Sequence, residues 1–273
     1  MFVGAHHVAI AVKELEKALG FYRDVLGLHV STKEHVAEQG VMAALLPLSN
    51  GEIELLEPTN PAGGVAKFVE KRGEGPHHLC VQTTDIAGAI EQAKAAGLPL
   101  IDQAPRKGLA GTIGFLHPGA SQGVLVEMAQ PGEAGTHWAP STDGIAAHTV
   151  ETVYIAVKDV EAAKQVYEKN FEAAVESDQQ DPWFKTRAAR IRIGKNSVTL
   201  LDAGALEAQP PAERFLAGRC EGLLGIGLRT ADYGAAVGHL KSSAVAVDER
   251  AAAAGRLARI DSDRTHGVNL YLC

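Results

Sequence analysis

Disulfides, membrane spans and a nucleic-acid partner are all poorly provided for in this chain. Its three cysteines, Cys80, Cys220 and Cys273, form no CxxC pair and no framework, which points to a reducing compartment. No apolar run approaches the ~20 residues that a bilayer helix needs. The start, Met1-Phe2-Val3-Gly4-Ala5, has neither a basic segment nor a signal-like apolar core, so the expected location is cytoplasmic. A net charge of −7 argues against nucleic acid as the main partner. A local basic patch still suits an anionic small molecule. Lys67, Lys71 and Arg72 form one such cluster and Arg106 with Lys107 another; each alone reads first as a solvated face. The 273 residues suffice for two domains, and 46% hydrophobic with 22% charged residues is a globular composition.

What the chain does have is a pattern that occurs twice. His7-Val8-Ala9-Ile10-Ala11-Val12 and His78-Leu79-Cys80-Val81-Gln82-Thr83 each follow another histidine, run on as an apolar strand and pass into a helix-like segment. About fifty residues later comes a strand with a carboxylate inside it: Ile53-Glu54-Leu55-Leu56, and Val124-Leu125-Val126-Glu127-Met128. A carboxylate in an apolar strand is costly unless it is paired or bound to a metal. Four such residues in two matching pairs point to one site shared by two repeated units.

The spacing predicts β-α-β-β-β in each unit. A strand over 5–12 leads to a helix from Lys13 to Leu26, with Leu15, Ala18, Leu19, Tyr22, Val25 and Leu26 on one face and Gly27 as a left-handed cap. Strands are expected near Leu28–Ser31, Val41–Leu46 and Glu52–Leu56, with Asn50-Gly51 as the hairpin turn. A short helix, Val65–Arg72, connects to the next unit. There a strand over 78–83 precedes a helix Ile86–Ala96, capped by Thr84 or Asp85 and closed by Gly97. Further strands are expected near Leu98–Ile101, Thr112–Leu116 and Val124–Met128. Pro105–Gly111 reads as a surface loop, with a mobile flap as the alternative.

Gln130 to Gly144 is rich in Pro, Gly, Ser and Thr and reads as a linker. The expected domains are 1–130, a linker over 131–146, and 147–273. The second half repeats the first. Thr152–Val160 lies over His7–Leu15, and Tyr167 falls on Tyr22, both at an offset of 145. Asn196–Leu201 lies over Gly51–Leu56, Arg214-Phe215-Leu216 over Lys67-Phe68-Val69, and Gly267–Leu272 over Gly123–Met128. Yet Thr152 replaces His7, Thr199 replaces Glu54, Gly225 replaces His78 and Tyr271 replaces Glu127. A purely structural role would have kept some of these residues. The second domain is therefore expected to be a ligand-free, non-catalytic partner.

Two imidazoles and two carboxylates suit a divalent first-row metal: Co, Mn, Ni, Zn or Fe, with no way to choose among them. With four protein ligands, an octahedral ion keeps two positions for water or a bidentate substrate, and acts as a Lewis acid on a carbonyl oxygen. His6 and His77 point to the opposite strand face and stay outside the ligand set.

His7–Val12, Glu38-Gln39-Gly40-Val41, Ile53-Glu54-Leu55-Leu56-Glu57-Pro58, Phe68–His78, Phe115-Leu116-His117-Pro118 and Gly123–Glu127 together resemble the methylmalonyl-CoA epimerases of the vicinal oxygen chelate superfamily. The resemblance covers residues 5–129. It implies an α+β fold of tandem βαβββ units in curved mixed sheets, two domains of two units each, around a divalent metal. It implies ligands at His7, Glu54, His78 and Glu127. It places the catalytic base on Glu38 and a second carboxylate role on Glu127. Epimerisation needs a base near each face of a planar enolate next to a thioester, with the oxygens held by the metal. The implied substrate is a 2-substituted acyl-CoA thioester, with Lys67, Lys71, Arg72 and Arg106 as candidates for its phosphates. The fused second half departs from the single-domain pattern of such epimerases; it is either half of an internal pseudo-dimer or a cap, and a homodimer is the other arrangement.

Two readings compete. A glyoxalase I-like lyase or isomerase uses the same donor set. A small-molecule binding or resistance protein on this scaffold commonly lacks the ligands, which the first half retains. An extradiol dioxygenase needs only two His and one Glu, so the fourth ligand counts against it.

Overall fold

Short apolar runs become strands in both halves, and their ladders sort them by sequence half. The computed structural model describes residues 2–132, 138, 143–206, 221–252 and 255–273. Most of the expected linker, the Arg214–Leu216 match and Cys220 lie outside the described residues.

The first half contains β1 (Phe2–Ala11), α1 (Leu15–Tyr22), β2 (Thr32–Val36), β3 (Val41–Leu48), β4 (Gly51–Pro58), α2 (Gly64–Arg72), β5 (Gly75–Thr83), α3 (Ile86–Ala95), β6 (Arg106–Gly108), β7 (Gly111–Leu116) and β8 (Val126–Gln130). Its strands form one eight-stranded sheet in the order β2-β3-β4-β1-β5-β8-β7-β6. The sheet is mixed: β1 runs parallel to β4 and β5 to β8, while the hairpins are antiparallel. The second half repeats the plan with β9 (Ala147–Val157), α4 (Val160–Phe171), β10 (Ala174–Asp181), β11 (Thr186–Ile193), β12 (Asn196–Asp202), α5 (Ala203–Leu206), β13 (Gly222–Thr230), α6 (Tyr233–Ser242), β14 (Val247–Ala252), β15 (Gly255–Ile260) and β16 (Asn269–Leu272). Its sheet order is β10-β11-β12-β9-β13-β16-β15-β14. The α+β class and the tandem βαβββ plan are as expected.

Several local expectations hold for their stated reasons. Asp85 caps α3 by accepting from Gly88 N. Gly27 takes φ 74°, and a Cβ there would meet Asp143 O at 2.4 Å, so no other residue fits. Others shift. Helix α1 ends at Tyr22 rather than Leu26, its last expected turn being wound as turns, and the following strand begins at Thr32 rather than Leu28. The segment read as a loop, Pro105–Gly111, instead contains β6, paired from Arg106↔Ile113 to Gly108↔Gly111. Residues 98–101 contribute only an isolated bridge, Leu100 to Leu116. A polar edge strand of three residues carries no apolar alternation to reveal it. The β3–β4 turn sits one residue early: Leu48 pairs with Gly51, leaving Ser49-Asn50 in the turn, with no positive φ at either. Asn50 serves another purpose there. Its side-chain amide donates to Val150 O and accepts from Val150 N, both at 2.9 Å, as a backbone group would.

Contacts divide the chain into two compact units, each drawing on both halves. One comprises His7–His77, Gly135–Glu151 and Gly225–Cys273. Inside it the buried Tyr22 hydroxyl donates to Thr265 O at 2.9 Å. Glu74 Oε1 accepts from Lys13 N at 2.7 Å and lies 3.0 Å from His266 Nδ1. The other comprises Met1–His6, His78–Ala134 and Thr152–Leu224. Inside it Tyr167 donates to Ser121 O at 3.3 Å, and Glu221 Oε1 accepts from Lys158 N at 3.2 Å. Both acceptor loops turn through a left-handed pair, Gln122-Gly123 and His266-Gly267. Each unit thus uses the repeated tyrosine to bond a loop from the opposite half of the sequence.

Candidate metal centre

Strand alternation decides which histidine of each His-His pair turns inward. His7 and His78 are each 3% exposed, whereas His6 and His77 are only part-buried on the other face. Burial pushes both His6 and His77 down to about 4, with Lys195 adding to the effect on His6 and Arg72 on His77. His77 packs edge-on against Phe68, with ring centroids 4.9 Å apart.

The carboxylates arrive on the adjacent parallel strands. In the β1–β4 ladder Ala9 stands beside Glu54, and His7 Nε2 lies 3.4 Å from Glu54 Oε2. In the β5–β8 ladder Cys80 stands beside Glu127, and His78 Nε2 lies 3.8 Å from Glu127 Oε2. Glu54 and Glu127 are both buried. His78 also meets the Phe115 ring edge-on at 5.2 Å. Burial raises the Glu127 carboxyl to about 7, against a hydrogen bond from Cys80 and the Arg106 charge, which both lower it.

One donor atom each from His7, Glu54 and His78 lies within 4.8 Å of the others. Donors about 2.1 Å from a shared ion are roughly 3.0–3.4 Å apart at octahedral or tetrahedral angles. The two His–Glu separations are close to that, and hard carboxylates with imidazoles are the donors a divalent first-row ion takes. His7, Glu54 and His78 fit such an ion; Glu127, 3.8 Å from His78, stands outside that group of three.

The other expected residues are dispersed. Glu38 is exposed in the four-residue turn between β2 and β3. Lys67, Lys71 and Arg72 are exposed on α2. Arg106 is held by Asp102, its Nε donating to both carboxylate oxygens at 3.1 Å, with its guanidinium 5.4 Å from the Phe115 ring. Two polar residues of the same strands escaped the sequence reading. Glu52 is 2% exposed two positions from Glu54, and Cys80, two positions from His78, bonds Glu127. Period-two alternation was the signal available for both.

Residues 6–116 match the Glyoxalase/Bleomycin resistance protein/Dioxygenase superfamily. The ethylmalonyl-CoA/methylmalonyl-CoA epimerase of Cereibacter sphaeroides is 38% identical over 128 residues, covering 46% of this chain and 96% of that protein. The mitochondrial methylmalonyl-CoA epimerase of Mus musculus is 38% identical over 127 residues, covering 46% of this chain and 71% of that one. The chain belongs to the glyoxalase/bleomycin resistance/dioxygenase superfamily. Its N-terminal half is the part that matches methylmalonyl-CoA epimerases. Over the whole chain, a triple mutant of 4-hydroxymandelate synthase from Streptomyces coelicolor superposes with a TM-score of 0.71 at 16% identity, covering 92% of that protein. At that identity the likeness shows the two-domain vicinal oxygen chelate fold alone.

Within this superfamily fold the second half carries a different chemistry at the matching positions. Thr152 and Thr199 replace the His7–Glu54 pair, and their hydroxyls bond each other at 2.8 Å, buried. A hydroxyl pair satisfies itself and offers no anionic donor. Among the described residues no helix is long and apolar enough to cross a membrane.

Proposed function

We propose that the first half is a divalent-metal-dependent epimerase acting on a 2-substituted acyl-CoA such as methylmalonyl-CoA. The observation that carries it is the pair of buried His–Glu contacts, His7–Glu54 and His78–Glu127, set against their replacement by a self-satisfied Thr152–Thr199 pair in the copy. The 38% identity to named epimerases, confined to that same half, supports it.

His7, Glu54, His78 and Glu127 are the proposed ligands. A divalent ion held by them supplies Lewis-acid polarisation of the substrate's carbonyl oxygen. The protein's own groups do the rest. Glu38 accepts the α-proton on one face of the substrate, and Glu127 serves the other face. Burial makes Glu127 a stronger base than a surface carboxylate, while ligation works against that. Lys67, Lys71 and Arg72, exposed on α2, are the proposed contacts for the coenzyme A phosphates. The domain reading goes with this: an active domain over 1–130, a linker over 131–146, and a ligand-free domain over 147–273 as the internal partner. A reducing, cytoplasmic setting suits Cys80 and Cys273, neither of which forms a disulfide.

The test is metal-reconstituted protein with methylmalonyl-CoA in deuterium oxide, with Glu38→Ala alongside. Rapid α-hydrogen exchange, lost in the variant, supports the reading. Absence of exchange by protein that holds its metal refutes it, and turnover of a hemithioacetal would then move the assignment to a glyoxalase-type reaction.

A further inference from the structure

The internal repeat supplies two versions of one strand face, and their difference marks a residue outside the ligand set. From His7 to Glu57 the chain maps onto Thr152 to Asp202 at a constant offset of 145. The β2–β3 turn, closed by Val36↔Val41, and the β10–β11 turn, closed by Asp181↔Thr186, have the same length. Their left-handed positions coincide: Gly40 at φ 65° and Lys185 at φ 51°. Glu38 and Gln39 therefore correspond to Trp183 and Phe184.

In the second half this turn closes over its strands. Tyr154 stands beside Thr199 in the ladder, on the face where Thr152 and Thr199 bond. The Phe184 ring lies 5.0 Å from the Tyr154 ring, and Trp183 and Phe184 are each 5% exposed. The third residue of the turn thus reaches the face that corresponds to His7 and Glu54. In the first half the same three positions are Ala9, beside Glu54, then exposed Glu38 and part-buried Gln39. Where the copy puts three aromatic rings, the ligand-bearing half has a methyl group, a carboxylate and a carboxamide.

We infer that Gln39 is a substrate-binding residue: its carboxamide donates a hydrogen bond to a carboxylate or carbonyl oxygen of the acyl group, beside the base Glu38. A carboxamide suits that task because it binds an oxygen at any pH without competing for the α-proton. The aromatic turn of the copy is the same device filled by its own side chains. This rests on the epimerase reading.

The test uses the full chain loaded with cobalt(II), as wild type, Gln39→Ala and Gln39→Phe. Malonyl-CoA binding is followed by the cobalt absorption bands, and α-hydrogen exchange of methylmalonyl-CoA gives KM and kcat. Both variants should keep the cobalt spectrum of the unliganded protein. Gln39→Ala should weaken malonyl-CoA binding and raise KM about 10- to 100-fold, the size of one hydrogen bond to a charged group. Gln39→Phe, which installs the ring of the copy, should abolish both signals. If it disturbs the unliganded spectrum, Gln39→Ala alone decides. Wild-type binding and exchange with both variants unchanged overturns the Gln39 assignment and leaves the epimerase reading standing. A wild-type protein that holds cobalt but neither binds nor exchanges overturns both.

Discussion

Replacing Glu127 with glutamine should make the metal-free protein more stable while destroying its metal affinity. Burial raises the Glu127 carboxyl from its ordinary 4.5 to about 7. In the unfolded chain it releases its proton near 4.5, so between these values the folded state holds the extra proton. The contribution of Glu127 to the stability of the metal-free protein therefore falls as pH rises through that window, the reverse of the usual salt-bridged carboxylate. The gap, at about 1.4 kcal/mol per pH unit, amounts to roughly 3 kcal/mol at pH 8. Glu127→Gln removes the titration and should recover a similar amount. Urea unfolding of chelator-treated protein at pH 4.5 and pH 8 measures this, with cobalt or zinc titration alongside. Part-buried His6 and His77, held down to about 4, add stability over the same range in both proteins, so the readout is the difference: wild type should lose about 3 kcal/mol relative to the variant between the two pH values. Metal binding should reverse the trend in wild type only, because ligation requires the deprotonated carboxylate. Parallel pH profiles of wild type and variant in the metal-free state, or a variant no more stable at pH 8, would refute the reasoning.

Other perturbations have smaller and separable effects. Tyr22→Phe leaves Thr265 O without its buried donor and should cost about 1–2 kcal/mol in urea unfolding; Tyr167→Phe, which loses a longer bond to Ser121 O, should cost less. Thr152→Val should destabilise by about 1–2 kcal/mol, and adding Thr199→Val should restore most of it, since the pair then loses both partners together. Asp178 is held down to about 2 by its hydrogen bonds to Arg187 and Lys164, so its contribution is present above pH 3.8 and lost as pH falls toward 2. The three side chains are partly covered at the surface, where water still screens them, so Asp178→Asn should cost only about 0.5–1 kcal/mol at pH 7 and progressively less as pH falls through 2, as thermal melts at low salt would show.

The strands that carry the candidate site were legible because burial imposes period two on them, and a His or Glu within such a run stands out. That is how His7, Glu54, His78 and Glu127 emerged from sequence, and why the inward member of each His-His pair was identifiable. Glu52 was passed over because a carboxylate one residue into a strand resembles a turn residue, although alternation places it on the Glu54 face. Edge elements left weaker traces. β6 is three residues of Arg-Lys-Gly and looks like a loop until Gly108 and Gly111 are seen to pair. Asn50 resembled a turn former, and its amide is bonded to Val150 instead, a partner a hundred residues away that no local rule can supply. The same limit hid the pairing of Tyr22 with Thr265. The repeat could be read from the sequence, but not which copies of its parts make contact.

That last feature bears on how the two copies came to differ. In an assembly of identical chains every substitution appears in both copies at once, so an exchange that abolishes a ligand abolishes it everywhere. Here Tyr22 with Thr265, and Tyr167 with Ser121, are equivalent contacts made by different residues of one polypeptide. Each copy can therefore change alone. Thr152, Thr199 and Trp183 stand on one side where His7, Glu54 and Glu38 stand on the other. Copies joined in one chain are free of that symmetry, so one face can carry His7 and Glu54 while its twin is filled with side chains of its own.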